Sequence, residues 1–174
     1  MKNIVKLTVF LAIVAGLAGG LVSYVNSLTS PIIAEKEIAV DKAGLIEIYS
    51  NGEEFEKVDE SPADFPSIET VYKVNKGSNT VAYIYKTSAA GYGGDVKALI
   101  SLGIDGKYQG LVITDCSSET KGIGDQITGE TFINSIVGKN IGDSIDTISG
   151  ATFSSAAVIT GVEEATAHFN SNYK

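Results

Sequence analysis

Histidine and cysteine are almost missing from this chain, which has one of each, His168 and Cys116, among 174 residues. A single cysteine excludes a disulfide within the chain and a zinc or iron–sulfur centre held by several thiolates. The expected role of Cys116 is that of a small, buried, apolar side chain. A single histidine leaves no histidine-based catalytic constellation. The place of His168 near the end of the last helix suits a helix-dipole partner or a surface residue. Positive charge is also scarce: 13 Lys and Arg against 21 Asp and Glu leave a net charge of −8. Binding nucleic acid requires a basic surface to neutralise phosphates, so no nucleic-acid partner is expected. Internal repeats and low-complexity tracts are absent as well. With 44% hydrophobic and 20% charged residues, the chain has the make-up of a folded protein. Its length fits one compact domain plus an appendage.

Charge vanishes altogether between Leu7 and Ala34. Residues 4–25 form an apolar run of the length that spans a bilayer. Lys2 and Lys6 precede it, and acidic residues dominate after it. The first 34 residues carry +2 of the total −8, which leaves −10 for the rest. The positive-inside rule then keeps the N-terminus cytoplasmic and puts the remainder outside. A cleavable signal peptide is the rival reading, but it would have a shorter apolar core and a small-x-small cleavage site. Gly16 and Gly20, with Gly19 between them, form a G-x-x-x-G pair that lets helices meet backbone to backbone in lipid. The same glycines also fit the ordinary composition of membrane helices.

Ser30-Pro31 predicts a fresh helix start. An amphipathic helix is expected from there to about Tyr49, with Asn51-Gly52 breaking it. Residues 53–66 are acidic, hold Pro62 and Pro66, and read as a loop. Residues 70–74 and 80–86 are rich in Val and Tyr and predict a hairpin around Asn75-Lys76-Gly77-Ser78-Asn79. A second hairpin is expected from residues 96–104 and 108–114 around Asp105-Gly106. Residues 129–137 predict a short helix with Phe132, Ile133, Ile136 and Val137 on one side. Residues 140–148 then lead into a turn and a last helix over residues 153–169, whose apolar positions recur at helical spacing.

That turn reads Asp146-Thr147-Ile148-Ser149-Gly150-Ala151-Thr152, then Phe153-Ser154-Ser155. Gly150 and Ala151 offer almost no side chain, and Thr152 falls at a helix N-terminus. There, unpaired N–H groups and the positive dipole end favour a phosphate. A plain N-cap explains the same residues. Two glycine-rich turns come earlier, Gly91-Tyr92-Gly93-Gly94 and Glu119-Thr120-Lys121-Gly122-Ile123-Gly124. Taken alone, each is an ordinary loop. Neither is a P-loop or a dinucleotide fingerprint, since the required Lys-Ser/Thr and third glycine are missing.

In this order, the three segments resemble the FMN-binding domain family, which includes the G subunit of the Rnf electron-transport complex and the C subunit of the sodium-pumping NADH:quinone reductase. That family carries a G-Y-G-G turn, an E-T-P-G-L-G turn and a D-x-x-S-G-A-T motif. The likeness covers about residues 71–162 and the single N-terminal anchor. Lys121 stands where the family has Pro and Ile123 where it has Leu, and Cys116-Ser117-Ser118 departs from the polar residues found there. The shortness of the chain suits the Rnf protein better than its longer counterpart in the quinone reductase.

The resemblance implies FMN joined through a phosphoester to Thr152. It further implies a cofactor site made of Ser149, Gly150, Ala151, Ser154, Ser155, Gly91, Tyr92, Gly93, Glu119, Thr120 and Gly122. No metal ligand or catalytic residue is implied. A threonine hydroxyl is a weak nucleophile and the motif holds no base, so loading is expected to need a separate flavin transferase that uses FAD and magnesium. Asp146 would present Thr152 to that enzyme or brace the turn through an Asx hydrogen bond. The expected fold is α+β: a single N-terminal transmembrane helix followed by a mostly antiparallel sheet with packed helices. The expected division is an anchor over 1–30, a connecting helix and loop over 31–66, and the FMN-binding domain over 67–174. The implied function is an extracytoplasmic electron relay among other membrane subunits of an Rnf-type ion-translocating ferredoxin:NAD oxidoreductase. Two alternatives stay open: a stand-alone flavin carrier or small reductase, and a membrane-tethered binding module without cofactor.

Overall fold

A computed structural model of the chain describes residues 2–49, 54–60 and 62–173. The order of elements is helix α1 (Lys2–Ile48), strands β1 (Glu54–Glu60), β2 (Ile68–Lys76), β3 (Asn79–Ala90), β4 (Asp95–Gly103) and β5 (Tyr108–Asp115), helix α2 (Glu130–Asn134) and helix α3 (Thr152–Asn172). A 3₁₀ turn, Gly124–Thr128, precedes α2. This is the α+β class expected from the sequence. The chain divides into two units, Met1–Val40 and Asp41–Lys174.

The first unit holds most of α1. Its segment Ile4–Ser30 is 27 residues long with a mean hydropathy of 2.2, which makes it the one helix among the described residues long and apolar enough to cross a membrane. At about 1.5 Å per residue such a helix exceeds the roughly 30 Å hydrocarbon thickness of a bilayer. The helix start expected at Ser30-Pro31 does not occur, because α1 runs unbroken through it. A proline removes one bond from the helical ladder but leaves the rest in place. The turn before it is braced by the Thr29 hydroxyl, which donates to the Val25 carbonyl at 3.0 Å. The break expected at Asn51-Gly52 lies outside the described residues.

In the second unit the five strands form one sheet in the order β1-β2-β3-β4-β5, with every neighbouring pair antiparallel. Alternation decides which side chains meet which layer. On β4, Val96, Ala98, Ile100 and Leu102 join the α3 residues Ala157, Val158, Val162, Ala165 and Phe169 in the larger core. Burying Phe169 or Val158 in this way stabilises the fold by about 1.5–3 kcal/mol each. On the opposite face Leu99 joins Val74, Ala82, Ile84 and Leu45, the last from the end of α1. There Lys86 is buried and its Nζ lies 2.8 Å from Asp41 Oδ2 and 3.4 Å from Glu69 Oε2. The two hairpin turns fall where the sequence puts them, with Gly77 and Gly106 at φ of 63° and 83°.

Two further expectations need correction. The acidic stretch read as a loop contains β1, an edge strand paired to β2 with Phe55 opposite Val74. Phe55 is its apolar anchor against the smaller core, while Glu54 and Glu56 belong to a charged edge that resists pairing with other chains. His168 is neither a surface residue nor a dipole partner, being only 3% exposed. It follows Gly161 and Ala165 at helical spacing, on the stripe of α3 that faces the sheet. Its Nδ1 lies 3.2 Å from the Tyr85 hydroxyl, and its ring meets Phe65 edge-on at 5.3 Å.

Candidate functional site

The two glycine-rich turns and the start of α3 converge on one cleft. Tyr92, Glu119, Thr120, Ile123, Gly124, Gly150, Ala151, Thr152, Phe153 and Ser154 line about 490 Å³. This is within the roughly 300–1,000 Å³ usual for small-molecule sites. Segments as far apart as residues 92 and 153 meet because the turn that leads into β4, the loop that follows β5 and the start of α3 share one end of the sheet.

α3 opens with Ala151 as its N-cap residue and no side-chain cap. Gly150 at φ 86° makes the preceding turn, which is closed by the Ala151 N–H donating to the Ile148 carbonyl at 3.0 Å. The first helical N–H that finds an acceptor is that of Ser155, on the Ala151 carbonyl at 2.9 Å. The N–H groups of Thr152, Phe153 and Ser154 have no acceptor among the described residues. Thr152 itself is exposed at the mouth of the cleft. An anion placed there would meet unclaimed donors and the positive end of the helix dipole.

Glu119 ties the site together. It is 6% exposed. Its Oε1 accepts from the Tyr92 and Gly93 N–H groups at 2.9 and 3.0 Å. Its Oε2 accepts from the Ser154 hydroxyl. One carboxylate therefore fastens the first glycine turn to the first turn of α3. Gly93 is required by this closeness, since a Cβ there would sit 1.9 Å from the Ser118 carbonyl oxygen. A Cβ on Gly124 would come within 2.7 Å of both Glu119 Oε2 and Ser154 Oγ.

Burial pushes the Glu119 carboxyl up, but the Ser154 hydroxyl and the N–H groups of Gly93, Tyr92 and Gly94 outweigh it and hold the group below its ordinary value of 4.5. A carboxylate with a depressed folded value stabilises the native state fully above its unfolded value. That contribution drains away as pH falls through the depressed one. The full-length protein in detergent is therefore expected to lose this share of its stability as pH falls below about 4.5. In Glu119→Gln this part of the pH dependence should be gone, so a Gln variant with an unchanged acid profile would refute the assignment.

Two aromatic side chains flank the opening. Tyr92 and Phe153 are 72% and 67% exposed, with ring centroids 6.1 Å apart and planes tilted by 47°. Exposed rings on two elements that the same carboxylate joins offer apolar faces to a flat ligand.

The structure brings Tyr92, Glu119, Thr120, Gly150, Ala151, Thr152 and Ser154 to the cleft. It does not bring the other sequence-derived candidates to its lining. Ser155 is fully buried; its hydroxyl donates to the Ala151 carbonyl at 2.8 Å and accepts from the Ile148 N–H at 3.1 Å. Gly91 and Gly93 act behind the lining, Gly93 as a donor to Glu119. Gly122, at φ 77°, makes a turn closed by Asp125, and Ser149 is exposed outside the lining. Asp146 lines a second hollow with Gln126, Thr131, Phe132 and Ile148, and it forms no Asx hydrogen bond among the described residues. Cys116 is half-buried at the margin of the larger core. Burial first, then the nearby Asp115, Asp125 and Glu119, push its thiol up and keep it protonated. Sequence reasoning missed Phe153, Ile123 and Gly124 as lining residues. Phe153 merges into the apolar periodicity of α3, and the only signal for it is its place directly after the motif threonine.

Comparison with known proteins gives matches over both the N-terminal helix and the cleft domain. The FMN-binding domain family matches residues 91–167, which contain the whole cleft. The RnfG N-terminal region matches residues 1–48, a range that contains α1. The chain is 27% identical to the G subunit of the proton-translocating ferredoxin:NAD(+) oxidoreductase complex of Clostridium ljungdahlii, over 94% of this chain and 90% of that one. It is 26% identical to the Na(+)-translocating counterpart of Acetobacterium woodii, over 92% and 89%. It is 30% identical to the G subunit of the ion-translocating oxidoreductase complex of Photorhabdus laumondii, over 88% and 84%. Kinship that spans both the N-terminal helix and the cleft domain settles the family: the chain belongs to the G subunits of ion-translocating oxidoreductase complexes.

Proposed function

We propose that this protein is a membrane-anchored flavoprotein that carries FMN covalently on Thr152 and relays electrons within an Rnf-type complex. The coarser part of this reading, an electron-transfer flavoprotein subunit of an oxidoreductase complex, follows from its family. The observation that carries the finer part is the exposed Thr152 at the mouth of a cleft whose first helical N–H groups are unclaimed. A phosphoester at Thr152 keeps its phosphate beside those N–H groups and leaves the cleft for the ring system. Tyr92, Phe153 and Ile123 supply apolar surface to it, and Glu119 fixes the distance between their supports. FMN held there would supply one- or two-electron transfer without an organic substrate of the protein's own. A flavin transferase does the loading, since among the described residues no side-chain base is hydrogen-bonded to the Thr152 hydroxyl to activate it.

In this reading residues 1–30 anchor the protein with the N-terminus in the cytoplasm. Residues 67–174, the FMN-binding domain, lie on the outer side, and residues 31–66 connect the two. Other membrane subunits of the complex are the partners. A covalent tether suits that side, where released flavin is lost to the cell. It also lets the ring stay partly open to the next redox centre. The test is intact mass and visible absorbance of the chain purified from membranes of a host that makes the transferase. The expected result is a yellow protein heavier by one FMN less one water, which co-purifies with multi-span subunits. A colourless chain of unmodified mass would overturn the reading.

A further inference from the structure

The redox poise of a flavin in this cleft depends on the charges fixed around it. The following inference rests on the reading of the cleft as an FMN site and deepens it. Glu119 lines the cleft yet is nearly inaccessible, and both its oxygens are taken up by this chain's own donors, Tyr92, Gly93 and Ser154. It is therefore poorly suited to hydrogen-bond a cofactor directly. Among the described residues no lysine, arginine or histidine forms an ion pair with it. The part of the cleft with positive character is the start of α3, whose N–H groups the phosphate would claim. Glu119 is thus a negative charge fixed at the cleft wall, neutralised only by neutral donors.

We propose that Glu119 is a positioning residue whose fixed charge holds the midpoint potential of the bound flavin low. Each electron that enters the ring without a proton makes it more negative. A nearby anion opposes this most strongly where water is excluded. The same carboxylate sets the separation of Tyr92 and Phe153, so charge and geometry must be varied separately. Glu119→Gln does so: the amide oxygen can still accept from the Tyr92 and Gly93 N–H groups, the amide nitrogen can face Ser154 Oγ, and the charge is gone. Ser154→Ala does the reverse, keeping the charge and removing a donor that partly neutralises it.

The experiment is spectroelectrochemical titration of the full-length, flavin-loaded protein in detergent at neutral pH, with dithionite as reductant and ferricyanide as oxidant. For Glu119→Gln the midpoint is expected to rise, so that at a fixed ambient potential the ratio of reduced to oxidised flavin increases about tenfold. For Ser154→Ala the midpoint is expected to fall. A residue that only braces the fold would not move the two variants in opposite directions. An unchanged or lower midpoint in Glu119→Gln overturns the proposal. If that variant fails to load, Ser154→Ala decides alone, and an unchanged or higher midpoint there overturns it. Wild-type protein without covalent flavin would instead sink the functional reading itself, which keeps the two failures apart.

Discussion

Thr152→Ala is expected to yield a colourless protein of unmodified mass that still folds. The loss should be complete because neither of the other hydroxyls in the first turn of α3 is available. Ser154 already donates to Glu119, and Ser155 is fully buried with its hydroxyl engaged at both ends. Ser149 is exposed but lies on the far side of Gly150, outside the cleft lining. Thr152 is exposed and caps nothing, so its removal should change stability by no more than about 0.5 kcal/mol. An unfolding midpoint equal to wild type beside an absent flavin signal is therefore the informative pair. Covalent flavin persisting on Thr152→Ala would show that the attachment is elsewhere.

The second large effect is expected from Gly93→Ala. Its Cβ would meet the Ser118 carbonyl oxygen at 1.9 Å and the Ser118 carbonyl carbon at 2.9 Å. Both obstacles are backbone, so no rotamer change relieves them. The turn must lift away from residue 118, and Tyr92 and Gly93 then lose Glu119 as acceptor. A cost of about 3 kcal/mol, at the upper end for overpacking, is expected in chemical unfolding of the full-length protein. Flavin loading should drop with it. Gly94→Ala is the control. Its Cβ would meet the Ser118 Cβ at 2.8 Å and Oγ at 2.9 Å, a shallower overlap than the 1.9 Å of Gly93→Ala that a small shift of the exposed residue 118 relieves, so the cost should be smaller, about 1 kcal/mol. Equal losses in the two variants would mean that the clash is not what fixes the turn.

Much of this arrangement is readable in the sequence, and the unreadable parts share one physical cause. Both hairpins announce themselves through apolar alternation and a turn glycine, because strand pairing is local there. α3 is legible from its period, and Thr152 from its place at the helix start. β1 is hidden because an edge strand carries its charge on purpose, and only Phe55 marks its buried side. His168 is misleading because its environment is made by Tyr85 and Phe65, which lie some 80 and 100 residues earlier in the chain. Glu119 stands out as a site residue, but its partners, Tyr92, Gly93 and Ser154, come from both sides of it in sequence and only the fold unites them. Phe153 follows the same logic: a periodic pattern says that a residue is on a helix, not that the helix ends in open water.

The covering of the sheet's second face has a consequence for how this protein can be cut. Leu45 at the tail of the long helix shields Val74, Ala82, Ile84 and Leu99, and Asp41 reaches the buried ammonium of Lys86. A water-soluble fragment trimmed to the strands alone would bare that greasy floor and deprive a sequestered cation of one of its counter-ions. The natural place for the knife is upstream of Asp41, so that the last turns of the helix go with the domain they roof.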